Sequence, residues 1–228
     1  MTSTRNVGID NFRSAETARM YDSILGLSGG VNEWFHYRAP TPIDKQPVVR
    51  MNRDTLYSVA VVDITAGAQV TLPETGDRYF SVMVVNADHY INEILHAPGT
   101  HSLTQDVHGT PFVLLAARTF VDPQDADDIA AVNALQDGMG IAAESAGPYH
   151  HPDYDDASMT QTRDALAVLG RGLGDTAHMF GRKSDVEPTR HLIGTATAWG
   201  GLPETEAYYY IETDPRPVGR YTLTMKDV

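Results

Sequence analysis

The first apolar pattern in the chain has the period of a helix. Five apolar residues between positions 9 and 27 fall on one side of a repeat of about 3.6 residues. They are Ile9, Phe12, Met20, Ile24 and Leu27. Gly29 and Gly30 follow, which is typical of a helix C-terminus, where glycine adopts a left-handed backbone without steric cost. The pattern therefore predicts an opening helix that ends before Gly29.

From about position 48 to position 118 the pattern becomes that of strands. These residues are rich in Val, Tyr, Phe and Thr and are interrupted by Gly, Pro and Asp, which is typical of strands separated by turns. Strands are predicted over 55–64, 68–72, 78–86 and 111–118. We predict a hairpin turn at 73–77, between the second and third of these strands. The connections are too short for parallel crossovers, so the sheet is expected to be antiparallel.

A helical period returns after Asp122. Asp122 and Pro123 have the form of an N-cap followed by proline in the first turn, and an apolar stripe continues to about Ser145. A second helix is predicted near Ser158, whose spacing to Gln161 is that of a capping box. The remaining predicted elements are a third helix over 186–198 and two strands over 206–214 and 220–226.

Together these elements predict an α+β fold in three parts. The parts are an N-terminal helix with an antiparallel, sandwich-like sheet over 1–122, a helical segment over 123–200, and the start of a second β-rich unit over 201–228. The stretches from Leu56 and from Ala207 resemble each other weakly. Two interpretations stay open: a second sheet unit cut short at Val228, or chance similarity between two tyrosine-rich hairpins. A unit cut short would leave an unpaired apolar edge, so a homo-oligomer is expected.

Composition and charge narrow the possible partners and locations. The 228 residues include 17 Lys and Arg against 30 Asp and Glu, a formal net charge of −13, so phosphate backbones would be repelled and no nucleic-acid partner is expected. No apolar run approaches the roughly 18 residues that a membrane span requires. The N-terminal residues lack a signal-peptide pattern, and the chain has no cysteine. We therefore expect a cytoplasmic protein.

Several familiar motifs occur here in the wrong context. Residues 26–30 match Gly-x-Ser-x-Gly, but a nucleophile elbow needs a strand before the serine, whereas Ser28 ends a predicted helix. Residues 170–174 imitate a nucleotide-binding loop but follow no strand, so they indicate close helix packing or a C-cap. The nine histidines match no established metal-ligand spacing. The sequence thus predicts no metal and no cofactor, and it assigns no catalytic residue.

The most informative polar residues lie at strand ends. Arg53, Asp54 and Tyr57 enter one strand, where an arginine with fixed planar donors either binds a ligand carboxylate or pins a loop through internal ion pairs. A second polar group follows the strand over 78–86. It consists of His89, Tyr90 and Asn92. Neighbouring residues of a strand point apart, so a relay between Asp88 and His89 is not expected.

Three segments carry a resemblance to a known family. They are MNRDTLYS (51–58), GDRYFSVMVVN (76–86) and AVNALQD (131–137), and in this order they resemble the bacterial domain-of-unknown-function family DUF1254. A later segment, GTATAWGGLPE (194–204), resembles the opening of the partner domain DUF1214. The resemblance implies a jelly-roll-like β-sandwich with added helices and then a second β-rich unit. It implies no particular catalytic residues, although family members are sometimes labelled esterase-like or exported.

Two functions from different classes are consistent with these observations. The first is binding or conversion of a small organic, carboxylate-bearing ligand in an aromatic and polar pocket at the mouth of the sandwich. The six residues named at the strand ends, Arg53, Asp54, Tyr57, His89, Tyr90 and Asn92, are its predicted lining. The alternative is a structural or assembly protein, in which jelly-roll-like units form an oligomer without catalysis and the same residues act as structural pins.

Overall fold

The structure is a computed structural model that describes residues 4–42, 44, 52–207, 209 and 217–222. Helices and strands alternate irregularly along these residues. The helices are α1 (Phe12–Ser28), α2 (Gln105–His108), α3 (Ala126–Asp137), α4 (Asp156–Gly170) and α5 (Pro188–Thr197). The strands are β1 (Phe35–His36), β2 (Thr55–Asp63), β3 (Ala68–Leu72), β4 (Phe80–Asn86), β5 (Ile91–Leu95), β6 (Gly99–Leu103), β7 (Phe112–Phe120) and β8 (Gly140–Ala143).

The strands form two antiparallel sheets. The larger sheet has the order β1-β2-β7-β4-β5, and the smaller sheet has the order β6-β3-β8. Apolar side chains from both sheets meet in one cluster, which we call the inner core. The antiparallel sheets and the mixed α+β composition confirm those parts of the predicted fold class, and the shared core makes the arrangement sandwich-like.

The central strands of the larger sheet are buried on both faces. Alternate residues of β4 point in opposite directions: Val82 and Val84 enter the inner core, whereas Met83 and Val85 face the helices. The second cluster, which we call the outer core, lies between the sheet and helices α1, α4 and α5. This double burial explains why β4 is a continuous apolar run rather than an alternating one.

The opening helix agrees with its prediction. It ends at Ser28, and the following Gly29 has a φ of 83° and donates its N–H to the carbonyl of Leu25. Ser28 donates its hydroxyl to the Gly30 carbonyl, so it belongs to a helix terminus and not to a nucleophile elbow. Ile9, although part of the predicted apolar stripe, is exposed and precedes the helix.

The predicted hairpin at 73–77 is wrong. Strand β3 belongs to the smaller sheet and β4 to the larger one, so the two strands do not pair. Leu72 and Phe80, which flank the loop, both enter the inner core. The loop therefore crosses from one sheet to the other. Strands β3 and β4 pack their apolar faces against each other and do not pair edge to edge.

The long helix predicted from Asp122 to about Ser145 is also wrong in its limits. Helix α3 begins at Ala126, where Asp125 accepts hydrogen bonds from two backbone amides of the first turn, and it ends at Asp137. Residues 140–143 form strand β8 instead and pair with β3. Glycines at 138 and 140 disfavour a helix, and the free edge of β3 offers strand pairing in its place.

The last two helices are close to their predictions. Helix α4 begins one turn earlier than the capping box indicated, because Asp155 accepts the backbone N–H of Ser158. Helix α5 carries Pro188 in its first turn, as expected. An added Cβ on Gly170 would lie 2.9 Å from Cγ2 of Ile193. Gly170, the first glycine of the segment 170–174, therefore allows α4 and α5 to pack closely.

The predicted strands over 206–214 and 220–226 lie largely outside the described residues. The described residues within them, at 206, 207, 209 and 220–222, are in neither strand nor helix. The three-part domain division and both interpretations of the C-terminal region therefore stay predictions. Within the described ranges, no helix combines the length and the apolar character needed to cross a membrane.

Candidate functional site

The six residues predicted to line one pocket fall into two groups. Thr55 at the start of β2 lies beside Phe120 of β7, while Asn86 at the end of β4 lies beside Val113 near the other end of β7. Arg53 and Asp54 precede the start of β2, whereas His89, Tyr90 and Asn92 follow the end of β4. The groups therefore lie at opposite ends of the larger sheet and do not share one pocket.

The first group is on the surface. Arg53 and Asp54 are exposed, and the Asp54 carboxylate accepts a hydrogen bond from the Thr55 hydroxyl. The guanidinium of Arg118 lies 6.0 Å from the centre of the Tyr57 ring. Arg118 also donates to the carbonyl of Gly200, so Tyr57 has an indirect connection to the second group. An exposed Arg53 does not fit the buried structural pin that the sequence left open.

The second group is built on a tight turn after β4. The side chain of Asn86 accepts the backbone N–H groups of Asp88 and Tyr90, at 3.0 and 2.9 Å, and donates to the His108 carbonyl at 2.8 Å. These bonds hold His89 at a φ of 65°, a left-handed conformation that is uncommon for residues other than glycine. The His89 ring is consequently fully buried, with 0% of its surface exposed.

Asp88 and His89 point in different directions from this turn. The Asp88 carboxylate accepts a hydrogen bond from the Ser14 hydroxyl on α1, at 3.1 Å. The His89 ring packs inward on the outer core, with Phe180 at its edge. The two side chains point apart, as the sequence predicted. They do so because of the turn, whereas the prediction assumed that both residues lie on a strand.

Four rings form a continuous stack against the outer face of the sheet. In order they are Trp199, His89, His191 and Tyr90, which we call the ring stack. Successive ring centres are 5.1, 5.1 and 4.8 Å apart, and the planes are inclined by 22°, 19° and 12°. The Arg13 guanidinium lies 5.2 Å from the centre of the Tyr90 ring and donates to its hydroxyl. An arginine over an aromatic face is a favourable contact.

Hydrogen bonds determine which nitrogen of each histidine carries the proton. The Thr195 hydroxyl donates to the His191 carbonyl at 2.8 Å, so it accepts from Nδ1 of His89, also at 2.8 Å. Nε2 of His89 is then unprotonated and accepts the N–H of Gly200 at 3.3 Å. Nδ1 of His191 donates to the Met179 carbonyl at 2.7 Å. The His89 ring therefore carries its proton on Nδ1 and is neutral, and His191 also carries a proton on Nδ1.

Burial opposes a charge on either ring. It lowers the pKa of His89 well below its usual value, and the neighbouring His191 and Arg13 lower it further. Burial also lowers the pKa of His191, although the backbone carbonyl of Met179 acts in the opposite direction. Among the described residues Nε2 of His191 is buried and meets no hydrogen-bond partner within bonding geometry, although the Asp88 backbone also acts to raise the pKa of this ring. Perturbed titratable groups of this kind mark candidate functional sites.

A solvent-accessible cleft adjoins the ring stack. It has a volume of about 660 Å³ and lies between β5, the loop from His178 to Asp185 and residues 203–206. The Phe180 ring lines this cleft and also meets the His89 ring at an interplanar angle of 84°. Phe180 therefore separates the open cleft from the buried histidines. Of the six predicted residues, Asn92 is the one that lines the cleft.

The cleft carries more negative than positive side chains. Its acidic residues are Glu93, Asp185, Glu204 and Glu206, and its basic residues are Arg182 and His178. Glu206 contacts His96 at 2.9 Å, and Arg182 uses its Nε to donate to the Asn92 carbonyl at 3.1 Å. In the described part of the chain, no group of three or more His, Asp and Glu side chains is arranged to hold a metal ion.

Comparison with known proteins gives a family for one part of the chain. Residues 31–106 match the family model described as "Protein of unknown function (DUF1254)". This match confirms the DUF1254 resemblance of the first two motifs, while the resemblance of residues 194–204 to DUF1214 stays a prediction. No curated protein matches the chain. The matched region contains all six predicted residues but neither His191 nor Trp199.

A solved structure shows the same fold at low sequence identity. The crystal structure of the VPA0106 protein from Vibrio parahaemolyticus, a structural-genomics target, superimposes with a TM-score of 0.65 at 15% identity. The aligned region covers 86% of this chain and 66% of that protein, so this chain spans a little under two thirds of its length. At this identity the similarity concerns the fold alone.

Sequence reasoning missed half of the ring stack. His191 and Trp199 lie more than a hundred positions after His89, and no spacing rule connects a helix residue to a turn so far away. Gly194 and its neighbours were noted for their resemblance to DUF1214, and Trp199 belongs to that segment. No sequence pattern indicated the positive φ of His89 either, because the side chain of Asn86 imposes this backbone conformation.

Proposed function

We propose that this chain binds a small organic cation, such as an alkyl amine, in the cleft beside the ring stack. The observation that carries the proposal is the charge of the cleft, whose four carboxylates face one arginine and one histidine. The cleft volume falls within the usual range for small-molecule sites, roughly 300 to 1,000 Å³. DUF1254 is a family of unknown function, so the proposal depends on this geometry rather than on a relative.

Electrostatics favours a positive over a negative ligand here. All four carboxylates are exposed or half-buried, so each contributes no more than about 1 kcal/mol to binding a cation. Glu204 and Asp185 are both exposed and therefore accessible to a ligand, and Glu204 lies 3.8 Å from Nδ1 of His178. The half-buried Ile94 provides apolar surface in the lining of the cleft.

A carboxylate-bearing ligand is the second candidate, and Arg182 favours it. Only Nε of this exposed guanidinium is hydrogen-bonded within the described residues, so its terminal nitrogens are available to a ligand. The sequence assigned the same role to Arg53, which lies at the other end of the sheet. A carboxylate bound to Arg182 would still meet the four acidic side chains, and we therefore place it second.

Two probes of equal length and opposite charge separate these candidates. We expect 1,4-diaminobutane to raise the melting temperature with concentration and to bind weakly in calorimetry, while succinate does neither. Glu204→Gln should weaken diamine binding. Glu33→Gln is the matched control, because Glu33 is exposed beside β1, at the opposite edge of the larger sheet from β5.

The outcomes are distinct. Succinate binding that Arg182→Ala abolishes would favour the carboxylate ligand. If neither probe binds, or if Glu33→Gln weakens binding as much as Glu204→Gln, the cleft proposal is wrong. The alternative assembly function is tested on the same samples by light scattering, which would then show an oligomer without any ligand response.

We also propose that the sandwich has jelly-roll-like connectivity. Two packed antiparallel sheets, with the consecutive strands β2, β3 and β4 alternating between them, support the proposal. The sheets have five and three strands rather than four each, because β1 pairs with β2 in the larger sheet. An experimental structure in which these strand orders differ would contradict the proposal.

A further inference from the structure

The ring stack joins parts of the chain that are distant in sequence. His89 and Tyr90 belong to the turn after β4, His191 and Thr195 to α5, and Trp199 follows α5. Trp199 also donates its indole N–H to the buried hydroxyl of Thr17 on α1, at 3.2 Å. The stack therefore holds α5 and the residues after it against both the sheet and α1.

We propose that the ring stack is a pH-sensitive latch, in which protonation of His89 releases α5 and Trp199 from the outer face of the larger sheet. The latch does not depend on the proposed ligand. It would act on the cleft all the same, because Phe180 contacts His89 and lines the cleft wall.

The hydrogen bonds of His89 require a neutral ring. Its Nδ1 donates to Thr195, whose own proton is used by the His191 carbonyl, and its Nε2 accepts from Gly200. A proton on Nε2 would place two donors face to face, the ring N–H and the Gly200 amide. The Gly200 segment would therefore have to move when His89 becomes charged.

Two arginine side chains, one from α1 and one from β7, lie near the ring stack. Arg13 of α1 lies over the Tyr90 ring. Arg118 of β7 donates to the Gly200 carbonyl, next to the amide that His89 accepts, and within the described residues its buried Nη1 has no hydrogen-bond partner. The Arg13 guanidinium opposes an additional positive charge on both histidines.

Carboxylates near the stack are engaged elsewhere. Glu16 of α1 pairs with Arg19 and with Arg163 of α4, and Asp88 of the turn accepts from Ser14. On α5 itself, Arg190 pairs with Asp175. The groups that favour a charged His191 are backbone carbonyls, those of Met179 and Asp88. A protonated histidine therefore has no carboxylate partner among the described residues around the stack.

The release should be local, because the described side chains in the middle of the inner core do not titrate, and His36 lies at the edge of that core, where its Nδ1 contacts the Ser58 hydroxyl at 2.7 Å. The side chains that β2, β4 and β7 direct into the middle of that core are all apolar. They are Ala60, Val62, Val82, Val84, Val113, Leu115 and Ala117. Acid in this range therefore acts on the helical layer while the two sheets stay packed.

Trp199 provides the test, since the chain has only one other tryptophan, Trp34. In a Trp34→Phe background we expect Trp199 fluorescence to change as pH falls from about 7.5 to about 5, while the far-ultraviolet signal of the sheets stays constant. Because the pKa of His89 is lowered well below its usual value, the docked state weakens about tenfold per pH unit below roughly 6.5.

Substitutions distinguish the latch from general acid sensitivity. His89→Asn retains a residue that tolerates the left-handed backbone, and it should shift or remove the Trp199 transition. His191→Asn should shift it as well, because the His191 ring stacks on His89 and lowers its pKa. His108→Gln is the matched control, because His108 is also buried with a lowered pKa but lies outside the stack. It should leave the transition unchanged.

Hydrogen exchange on the wild-type chain keeps the proposal testable if Trp34→Phe does not fold. Corrected for intrinsic rates, α5 amides should lose protection between about pH 7 and pH 5.5, whereas those of β7 should not. A flat Trp199 signal, simultaneous loss of protection in α5 and β7, or a transition that persists in both His89→Asn and His191→Asn would overturn the latch.

Discussion

The two faces of the larger sheet are stabilised in different ways. On the inner face, apolar side chains from both sheets fill the space between the layers, and buried polar residues such as Ser58 and Thr119 lie toward one end. On the outer face, apolar packing is mixed with buried His89, His191 and Glu16. One sheet thus supports a largely apolar inner face and an outer face that contains the proposed pH-sensitive latch.

This difference follows from what each face packs against. A strand that faces another sheet meets a largely apolar surface, and a polar side chain there is costly unless it finds a partner, as Ser58 does in Gln136 and His36. A strand that faces helices meets caps, turns and side-chain donors. The helical layer supplies Thr195, the Met179 carbonyl and the Gly200 amide, which together satisfy most of the polar atoms of the two histidines.

The largest expected effect comes from a cavity in the inner core. Leu115→Ala removes a fully buried side chain of β7 between two sheets that cannot close around the space. We expect a loss of about 3 to 5 kcal/mol in the free energy of unfolding, measured with denaturant. Leu166→Ala on α4 is the matched change in the outer core. It should cost less, nearer about 2 kcal/mol, because a helix can shift toward the sheet. Equal losses would contradict the comparison.

A smaller effect is expected where the outer core is crowded. An added Cβ on Gly201 would lie 2.3 Å from Cε2 of Phe180, whose ring is buried and cannot simply swing away. Gly201→Ala should therefore cost about 1 to 3 kcal/mol and alter the cleft wall that Phe180 forms. Gly172→Ala is the control, since nothing lies within 4 Å of its added Cβ. Denaturation curves that coincide for the two variants would show that Phe180 is not confined.

Acid below the range of the latch should act on an ion pair outside both cores. The Arg78 guanidinium, followed by the Asp122 amide, lowers the pKa of Asp128 from 3.8 to about 2. The folded chain therefore holds this carboxylate ionised more firmly than the unfolded chain does. Its stabilising contribution is complete above pH 3.8 and is lost as pH falls toward about 2. Arg78→Gln should raise the pKa of Asp128 in an NMR titration, and an unchanged value would refute the assignment.

The sequence predicted elements whose pattern is local. Strand β3 alternates buried and exposed residues from Ala68 to Leu72, as its strand pattern required, and the glycine after α1 ended the helix. The layer to which a strand belongs is not a local property. Residues 73–77 have the composition of a hairpin turn. Strands β3 and β4 nevertheless lie in different sheets, because each buries its apolar side chains in the core between the sheets.

The candidate site was predictable only in part, for a similar reason. His89, Tyr90 and Asn92 follow a recognisable strand, so their place at its end could be inferred. His191 and Trp199 complete the stack from another part of the chain, and their ring contacts depend on how α5 docks. Arg53 looked informative because charges at a strand entry need partners, but the strand begins at Thr55 and leaves Arg53 exposed.

The smallest effect is expected at Arg53, which lies outside both cores. If this residue were a buried pin, its removal would leave an unpaired charge and cost several kcal/mol. Because its side chain is exposed, we expect Arg53→Ala to change the free energy of unfolding by no more than about 0.5 kcal/mol, within the usual range for surface positions. Denaturation with the parent chain in parallel measures this difference. Diamine binding in the cleft should be unaffected as well, since Arg53 lies at the opposite end of the sheet. A loss above about 2 kcal/mol would mean that Arg53 has a structural partner, and the sequence's interpretation as a pin would then be correct.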